Sequence, residues 1–301
     1  MTARKPAHSR KFWLVPLLAG LLAASVPPQL QAEPASVTER QKVLQEAARV
    51  RRHHGVWASA TDQELKDDRA GLQQEATIKS RTLGYDYLVT TSLTIGLALT
   101  QQTQRSELLQ DDTQRSGDGQ IASLYGTYAP YPFLNFPVSI GWGKYKTSQE
   151  RVTEGQELEG DFTAKLITAS AGMSLLIPLQ PVFLNSGLQL SYASSRIDSF
   201  IERWPGQQVE TPAQTTSSTQ LHLFTKARLW ANGILWPYLS LKYSRDLQRK
   251  PHDDDVDQLQ WGIGLDLLHA DGWYGGLGYS RVVGRQGIDD RSLTLSLRKS
   301  F

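Results

Sequence analysis

The chain has 301 residues, 40% of them hydrophobic, with 32 basic against 30 acidic side chains and no cysteine. The missing cysteines exclude a disulfide framework and a lipid-modified N-terminus, and a net charge of +2 spread along the chain lacks the concentrated basic footprint that nucleic acid demands. Mean hydropathy is −0.38, and beyond the first 32 residues no stretch reaches the roughly 18 unbroken apolar residues of a spanning helix. A helical membrane protein is excluded, but a β-barrel is not, because barrel strands show lipid only every second residue.

The N-terminus carries Arg4, Lys5, Arg10 and Lys11, then an apolar run from Phe12 to Val26, then a polar break leading to Ala32. That order is an export signal over residues 1–32. A membrane anchor fits less well, since the run contains Pro16 and is shorter than the roughly 20 residues needed to span. The mature chain is expected to begin at Glu33. Ser36 to Arg52 is rich in Ala, Glu, Gln, Arg and Leu, with Ser36 or Thr38 placed to cap it, so residues 33–54 are expected to form a helical segment. At about 1.5 Å per residue that helix would be roughly 25 Å long, the height of a barrel's apolar band.

From residue 55 onward, runs with period-two alternation follow one another. They are Gly55–Ala60, Thr77–Tyr87, Leu93–Gln101, Gln120–Tyr128, Pro137–Lys146, Phe162–Leu176, Phe183–Ile197, Thr219–Trp230, Ile234–Arg245, Gln258–Leu267, Trp273–Val283 and Arg291–Phe301, twelve in all. Gly55–Ala60 is a weak member, and Phe162–Leu176 does not choose a face cleanly. Connections alternate in length. Val89–Ser92, Ala129–Asn135, Pro178–Val182, Ala231–Gly233 and His269–Gly272 are short. Thr61–Ala76, Gln102–Gly119, Thr147–Asp161, Asp198–Ser218 and Asp246–Asp257 are long and polar, and are expected to be loops. Short turns on one side and long loops on the other describe a transmembrane barrel, and an even strand number leaves both chain ends on the short-turn, periplasmic side. The expected fold is all-β: a closed antiparallel barrel of twelve strands, preceded by a short helix in the lumen.

Polar side chains on the strands sort to one face. In Thr219–Trp230, Leu221, Leu223, Ala227 and Leu229 share a face opposite Gln220, His222, Lys226 and Arg228. Two cations against lipid would cost roughly 2–4 kcal/mol each at the midplane, so their face must be the lumen. Asp86, Lys242, Asp266 and Arg298 fall on the corresponding faces of their strands. The expected pore lining is therefore Asp86, His222, Lys226, Arg228, Lys242, Asp266 and Arg298, with Glu39, Arg40, Glu46 and Arg49 of the helix facing it. Tyr131, Phe133, Trp230, Trp236, Trp273 and Tyr274 lie near turns and are expected in an interfacial aromatic girdle.

The closing strand resembles the last strand of Gram-negative outer-membrane barrels, and its terminal Phe301 resembles the signal read by the barrel-assembly machinery. The segments GVWASATDQEL from Gly55, TLGYDYLVTTSLTIGLALTQQTQRS from Thr82, GDGQIASLYGTYAP from Gly117, VSIGWGKYKTSQE from Val138, LNSGLQLSYASSRIDSFIE from Leu184 and the closing LTLSLRKSF resemble, in order and spacing, the translocator barrel of classical autotransporters. The resemblance covers about Ser36 to Phe301 and implies a pore helix followed by twelve strands. It departs upstream, where Glu33–Val37 is all that the sequence offers as passenger. With no Asn before the barrel, Asn-based linker cleavage does not carry over. The resemblance implies an outer-membrane address, with both termini periplasmic or the N-terminal helix in the lumen. The implied partners are membrane lipid, lipopolysaccharide and the assembly machinery.

No catalytic constellation stands out, and neither a cofactor nor a metal is expected. His252 with Asp253, Asp254 and Asp255 could bind a cation or serve acid–base chemistry at the outer rim, but a solvated acidic loop is the simpler reading. His53 and His54 lack a third ligand nearby and are expected to complement a helix end. The functional expectation is a passenger-free barrel acting as a narrow or helix-plugged pore or a membrane scaffold. The alternatives are a translocator for a short or separately encoded passenger and a rim-located hydrolase.

Overall fold

The structure, a computed structural model, describes residues 54–301 with the exception of 69–72, 110–112, 154–155, 180, 205–206, 230–233, 251–256, 270 and 285–286. Its strands are β1 (His54–Asp67), β2 (Gln74–Thr90), β3 (Leu93–Leu108), β4 (Thr113–Tyr131), β5 (Leu134–Thr153), β6 (Gln156–Leu179), β7 (Val182–Ile197), β8 (Phe200–Trp204), β9 (Gln207–Thr211), β10 (Gln214–Leu229), β11 (Leu235–Lys250), β12 (Asp257–His269), β13 (Trp273–Val283) and β14 (Ile288–Ser300). Neighbours pair antiparallel around the ring, closing where β1 meets β14 from Gly55↔Ser300 to Asp67↔Ile288 and where β5 meets β6. The β7/β10 register, which ends at Ile197↔Gln214, resumes in β8/β9 at Phe200↔Thr211. These four elements thus make one long hairpin, interrupted where Pro212 cannot donate to the ladder. The barrel therefore has twelve staves, and β8 continues alongside β6 at Gly160↔Glu202.

One rim gathers the tight connections after Thr90, Tyr131, Leu179 and His269. The last of these turns on Gly272, whose φ of 83° suits glycine. Both ends of the described chain join the same rim: Phe301 N–H donates to the His54 carbonyl at 2.8 Å, and His54 N–H donates to the Phe301 carbonyl at 3.4 Å. The opposite rim corrects a sequence expectation. Most of the five polar stretches expected as loops are strand, since β1 runs to Asp67, β2 starts at Gln74, β3 reaches Leu108, β4 starts at Thr113, and β5 and β6 extend to Thr153 and from Gln156. Such hairpins outrun the membrane, so their outer faces meet water and their polarity gives no sign of irregular backbone.

The same change of solvent explains why the sequence of Phe162–Leu176 does not choose one face. From Ile167 to Ile177 the outward residues include Met173 and Leu175, exposed and apolar, while Thr168, Ser170 and Ser174 point inward. Above Leu166 the arrangement inverts: Asp161 and Lys165 face out, and Leu158, Phe162, Ala164 and Leu166 are buried inside. Phe162, Ala164 and Leu166 pack with Ile121, Tyr145, Ile197 and Phe200 in one cluster, so this part of the barrel is dry inside and wet outside. Below the inversion, an outward apolar belt encircles the barrel. On β12 it runs from Leu259 to Leu267, about 30 Å along a strand at 3.3 Å per residue, which a tilt of about 40° reduces to the roughly 25 Å of an outer-membrane apolar band.

Aromatics decorate the short-turn edge of that belt. Tyr131 and Phe133 stack with centroids 5.6 Å apart, and Lys299 Nζ lies 4.8 Å from the Trp273 ring. Two expected girdle members are corrected by strand parity. Tyr274 shares its face with its partner Arg298, and Trp236 packs on Phe183 at 5.7 Å on the face of Asp266, so both belong to the inner side. Trp230 lies outside the described residues.

Large inward rings are seated on glycines of neighbouring strands. A Cβ on Gly119 would lie 2.2 Å from the Tyr145 ring, and one on Gly84 would lie 2.1 Å from Trp57. Tyr145 Oη donates to Gln102 Oε1 at 2.6 Å, so it cannot swing away without unpairing a buried polar group. We predict that Gly119→Val destabilises the barrel by about 1–3 kcal/mol, the usual cost of overpacking, read from urea unfolding in lipid vesicles. In the same assay Leu239→Arg, which puts a cation on the exposed belt of β11, is expected to cost about 2–4 kcal/mol. Ser240→Arg, one residue away on the inner face, is expected to cost clearly less.

Candidate functional site: the polar lumen

Strand parity turns alternate residues of every stave inward, and at the level of the apolar belt those residues are polar. Asp86, on β2, is buried and accepts from Arg298 Nη2 at 2.6 Å across β1. The bridge passes over Gly55, where a Cβ would lie 2.6 Å from both partners, so a bare backbone in β1 is what lets the two ends of the chain be tied. Tyr125 Oη donates to Asp86 Oδ2 at 3.4 Å and accepts from Trp57 Nε1 at 2.6 Å. The closing seam is thus pinned from inside by a charge-assisted bond.

On the opposite wall Asp266 of β12 takes two cations of β10, Arg228 Nε at 2.6 Å and Lys226 Nζ at 3.0 Å. Lys226 also sits 3.7 Å from the centroid of the Tyr238 ring, a cation–π arrangement. Lys242 of β11 points inward from the same wall and makes no ion pair or hydrogen bond among the described residues. Lys226, Lys242, Asp266, Tyr238, Ser240 and Gln260 border a cavity of about 280 Å³, room for water. His222 is held at both ring nitrogens, with Ser191 Oγ 2.8 Å from Nε2 and Ser244 Oγ 2.8 Å from Nδ1. Among the described residues no carboxylate sits on it of the kind that orients a catalytic histidine.

Asp86, His222, Lys226, Arg228, Lys242, Asp266 and Arg298 therefore all lie on the inner face, gathered into two groups, with Asp86 and Arg298 at the seam and the other five on the β10–β12 wall. Glu39, Arg40, Glu46 and Arg49, together with His53, His252 and Asp253–Asp255, lie outside the described residues. His54 closes the short-turn rim, its Nδ1 2.5 Å from Tyr85 Oη. Phe301 beside it is exposed. Among the described residues no three His, Asp or Glu side chains lie together to hold a metal ion.

A third polar group was not anticipated. Near the long-hairpin rim the buried Glu202 of β8 accepts from Arg151 Nη2 at 2.5 Å and from Gln149 Nε2 at 2.7 Å, while Arg115 Nε donates to Gln149 Oε1 at 2.8 Å. These residues fall in the long polar stretches whose composition reads as loop. The signal was present, because Gln149 and Arg151 continue the parity of Tyr145 and Thr147. Breaking one partner of such a buried pair leaves an uncompensated charge, so the network fixes how β8 stands against β5.

Comparison with known proteins agrees with this geometry. The translocator domain of the autotransporter NalP from Neisseria meningitidis superposes with a TM-score of 0.74 at 16% identity, covering 89% of this chain and all of that one. The β domain of the Bordetella autotransporter BrkA gives 0.68 at 17%, covering 83% and 100%, and the transport unit of AIDA-I from Escherichia coli gives 0.56 at 12%, covering 89% and 99%. A channel-type barrel, the CymD monoaromatic hydrocarbon channel, gives 0.51 at 9% identity, covering 91% and 92%. No curated protein sequence matches the chain significantly. The family model described as the autotransporter beta-domain matches residues 56–280, and the chain belongs to that family of Gram-negative outer-membrane β-barrels.

Proposed function

We propose that the protein is a narrow outer-membrane pore whose inner wall favours anions, with its short turns and both chain ends in the periplasm. The observation that carries this reading is the imbalance of fixed charge at belt level: Lys226, Arg228, Lys242 and Arg298 face inward against Asp86, Asp266 and Asp290. Water beside Lys242, which makes no ion pair among the described residues and meets Asp290 only beyond ion-pair distance, makes the wall an attractive surface for a permeating anion, since rings of like charge set the sign of selectivity. The segment Glu33–Arg52 acts as a plug in this reading, because a twelve-stranded barrel has an interior of about one helix's width.

Planar bilayers test it. The mature protein is expected to be silent and a version lacking Glu33–Arg52 to conduct, with a reversal potential on the anion side in a salt gradient. In the truncated protein Lys242→Glu is expected to move the reversal potential toward the cation limit. If neither form conducts, the pore reading fails and a membrane scaffold takes its place.

A second reading is favoured by one observation, the complete coverage of the NalP and BrkA translocator domains by this chain. In that reading the barrel delivers a short or separately encoded segment to the cell surface. An epitope inserted at Glu33, after the export signal, is then expected to label with antibody on intact cells, and labelling that requires lysis eliminates this reading.

A further inference from the structure

The level at which the barrel's faces invert carries a row of outward polar side chains. Following the register across six neighbouring staves, Arg81 stands opposite Gln101, Gln101 opposite Gln120, Gln120 opposite Lys144, Lys144 opposite Lys165, and Lys165 opposite Arg196. All six are exposed. Two steps along the same staves toward the short turns, Leu83, Leu99, Ala122, Trp142 and Ile167 form the first row of the apolar belt. Leu83 and Leu99 are 59% and 66% exposed, and Trp142 and Ile167 are 54% each. Apart from Arg196, both rows line one groove of about 1060 Å³ on the outer surface, floored by the small side chains of Ala58, Ala60 and Ala122.

The cations of this row are badly placed for a protein standing alone. Lys144 faces Lys165 and Lys165 faces Arg196, and like charges directly opposite on a sheet repel. Among the described residues one carboxylate answers them, Asp198, at 2.8 Å from Lys165 and 3.7 Å from Arg196. The hydrogen bond from Lys165 holds its carboxyl below the usual carboxylate range, so it remains an anion there. Arg81 and Lys144 have no ion pair or hydrogen bond among the described residues. Cations on the next steps outward do have acidic neighbours, Lys79 with Asp62 at 3.4 Å and Lys146 opposite Asp118 in the register. Farther out on these staves Arg105 is also without an ion pair among the described residues, but it stands alone, whereas the unanswered charge of the boundary row lies where an apolar groove begins.

We propose that this groove binds a phosphorylated, multiply acylated glycolipid of the lipopolysaccharide class, with phosphates on Arg81, Lys144 and Lys165 and acyl chains along Leu83, Leu99, Trp142 and Ile167. An amphiphile is required, because anion-seeking and lipid-seeking side chains follow one another on the same strands. A broad one fits best. Five staves at about 4.8 Å spacing put Arg81 and Lys165 roughly 19 Å apart, too far for one two-chain phospholipid to neutralise both. The inference rests on the orientation proposed above, which puts the long hairpins and this row at the outer leaflet.

The test uses the full mature chain in detergent, with lipid A added and retention read by native mass spectrometry. Wild type is expected to retain lipid A, and the combined variant Arg81→Gln, Lys144→Gln, Lys165→Gln to lose at least ten-fold in retention. Arg245→Gln with Arg281→Gln, which removes outward cations elsewhere, is expected to leave retention unchanged. Equal retention by the combined variant overturns the proposal, as does equal binding of lipid A stripped of its phosphates. Equal binding of phosphatidylglycerol overturns the glycolipid assignment, and displacement by inorganic phosphate alone reduces the site to a free-anion site. If the combined variant does not fold, Lys144→Gln alone is measured, with at least a three-fold loss expected and no loss overturning the proposal. Orientation is read separately, by protease cleavage of the long hairpins on intact cells, so a wrong orientation and a wrong ligand give different results.

Discussion

Everything in this molecule follows from the requirement that backbone N–H and C=O groups find partners where lipid offers none. The chain meets it by bringing its last strand back to its first over the whole length of β1, and by leaving no open edge between β5 and β6. Once the ring is closed, strand parity leaves no freedom, and each residue faces either the surroundings or the lumen. The Arg298–Asp86 bridge over Gly55 shows the constraint at side-chain level. The closing seam joins the two ends of the sequence, and it is tied by a charged pair drawn from β2 and β14, with a glycine between them to let it pass.

Closure also decides where the hydrophobic core lies, and the answer changes along the strands. In the belt the surroundings are apolar, so exposed Leu, Ile and Trp are satisfied outside and the lumen takes the Ser, Thr, Gln and charged residues. Above Leu166 the surroundings are water, and the barrel becomes an ordinary β-structure with Tyr145, Phe162 and Leu166 inside and Lys144 and Lys165 outside. No single hydrophobic pattern describes such a strand. The transition is abrupt, one residue pair on β6, because the apolar belt ends there on every neighbouring stave.

That inversion separates what the sequence displayed from what it concealed. Nine of the twelve expected runs lie wholly within the staves that form, and Thr219–Trp230, Ile234–Arg245 and Arg291–Phe301 each overrun theirs by one residue, because period-two alternation with lipid on one side is a strong signal. The inward set from Asp86 to Arg298 was legible for the same reason, since a cation cannot share a face with Leu221 and Leu223 in lipid. The hairpin extensions were not, because Gln, Ser, Thr and Asp in water look alike in a strand and in a loop. With them went Arg115, Gln149, Arg151 and Glu202. Trp236 and Tyr274 misled in another way. Proximity to a turn gives the height of an aromatic on the barrel, whereas only its parity relative to Asp266 and Arg298 gives its face.

The lumen is consequently divided between two walls with different physics. On the β3–β8 side, inward residues such as Gln102, Tyr145, Leu158 and Ala164 are almost wholly buried; Tyr145 is held by Gln102 and Glu202 by Arg151, while Gln102 Nε2 and Ser123 Oγ find no hydrogen-bond partner among the described residues. On the β10–β14 side, Lys242, Asp266, Ser280 and Thr294 keep partial exposure beside the 280 Å³ cavity, and one carboxylate is shared by two cations. A filled wall contributes rigidity and no path. A wetted wall of unequal charge contributes a field that water on one side only partly screens, since the strand backbone and the lipid behind it have low dielectric. An ion or chain that crosses the barrel as proposed above is therefore expected to travel against β10–β14, where Lys242 and Asp290 are fixed charges outside the ion pairs on Asp266.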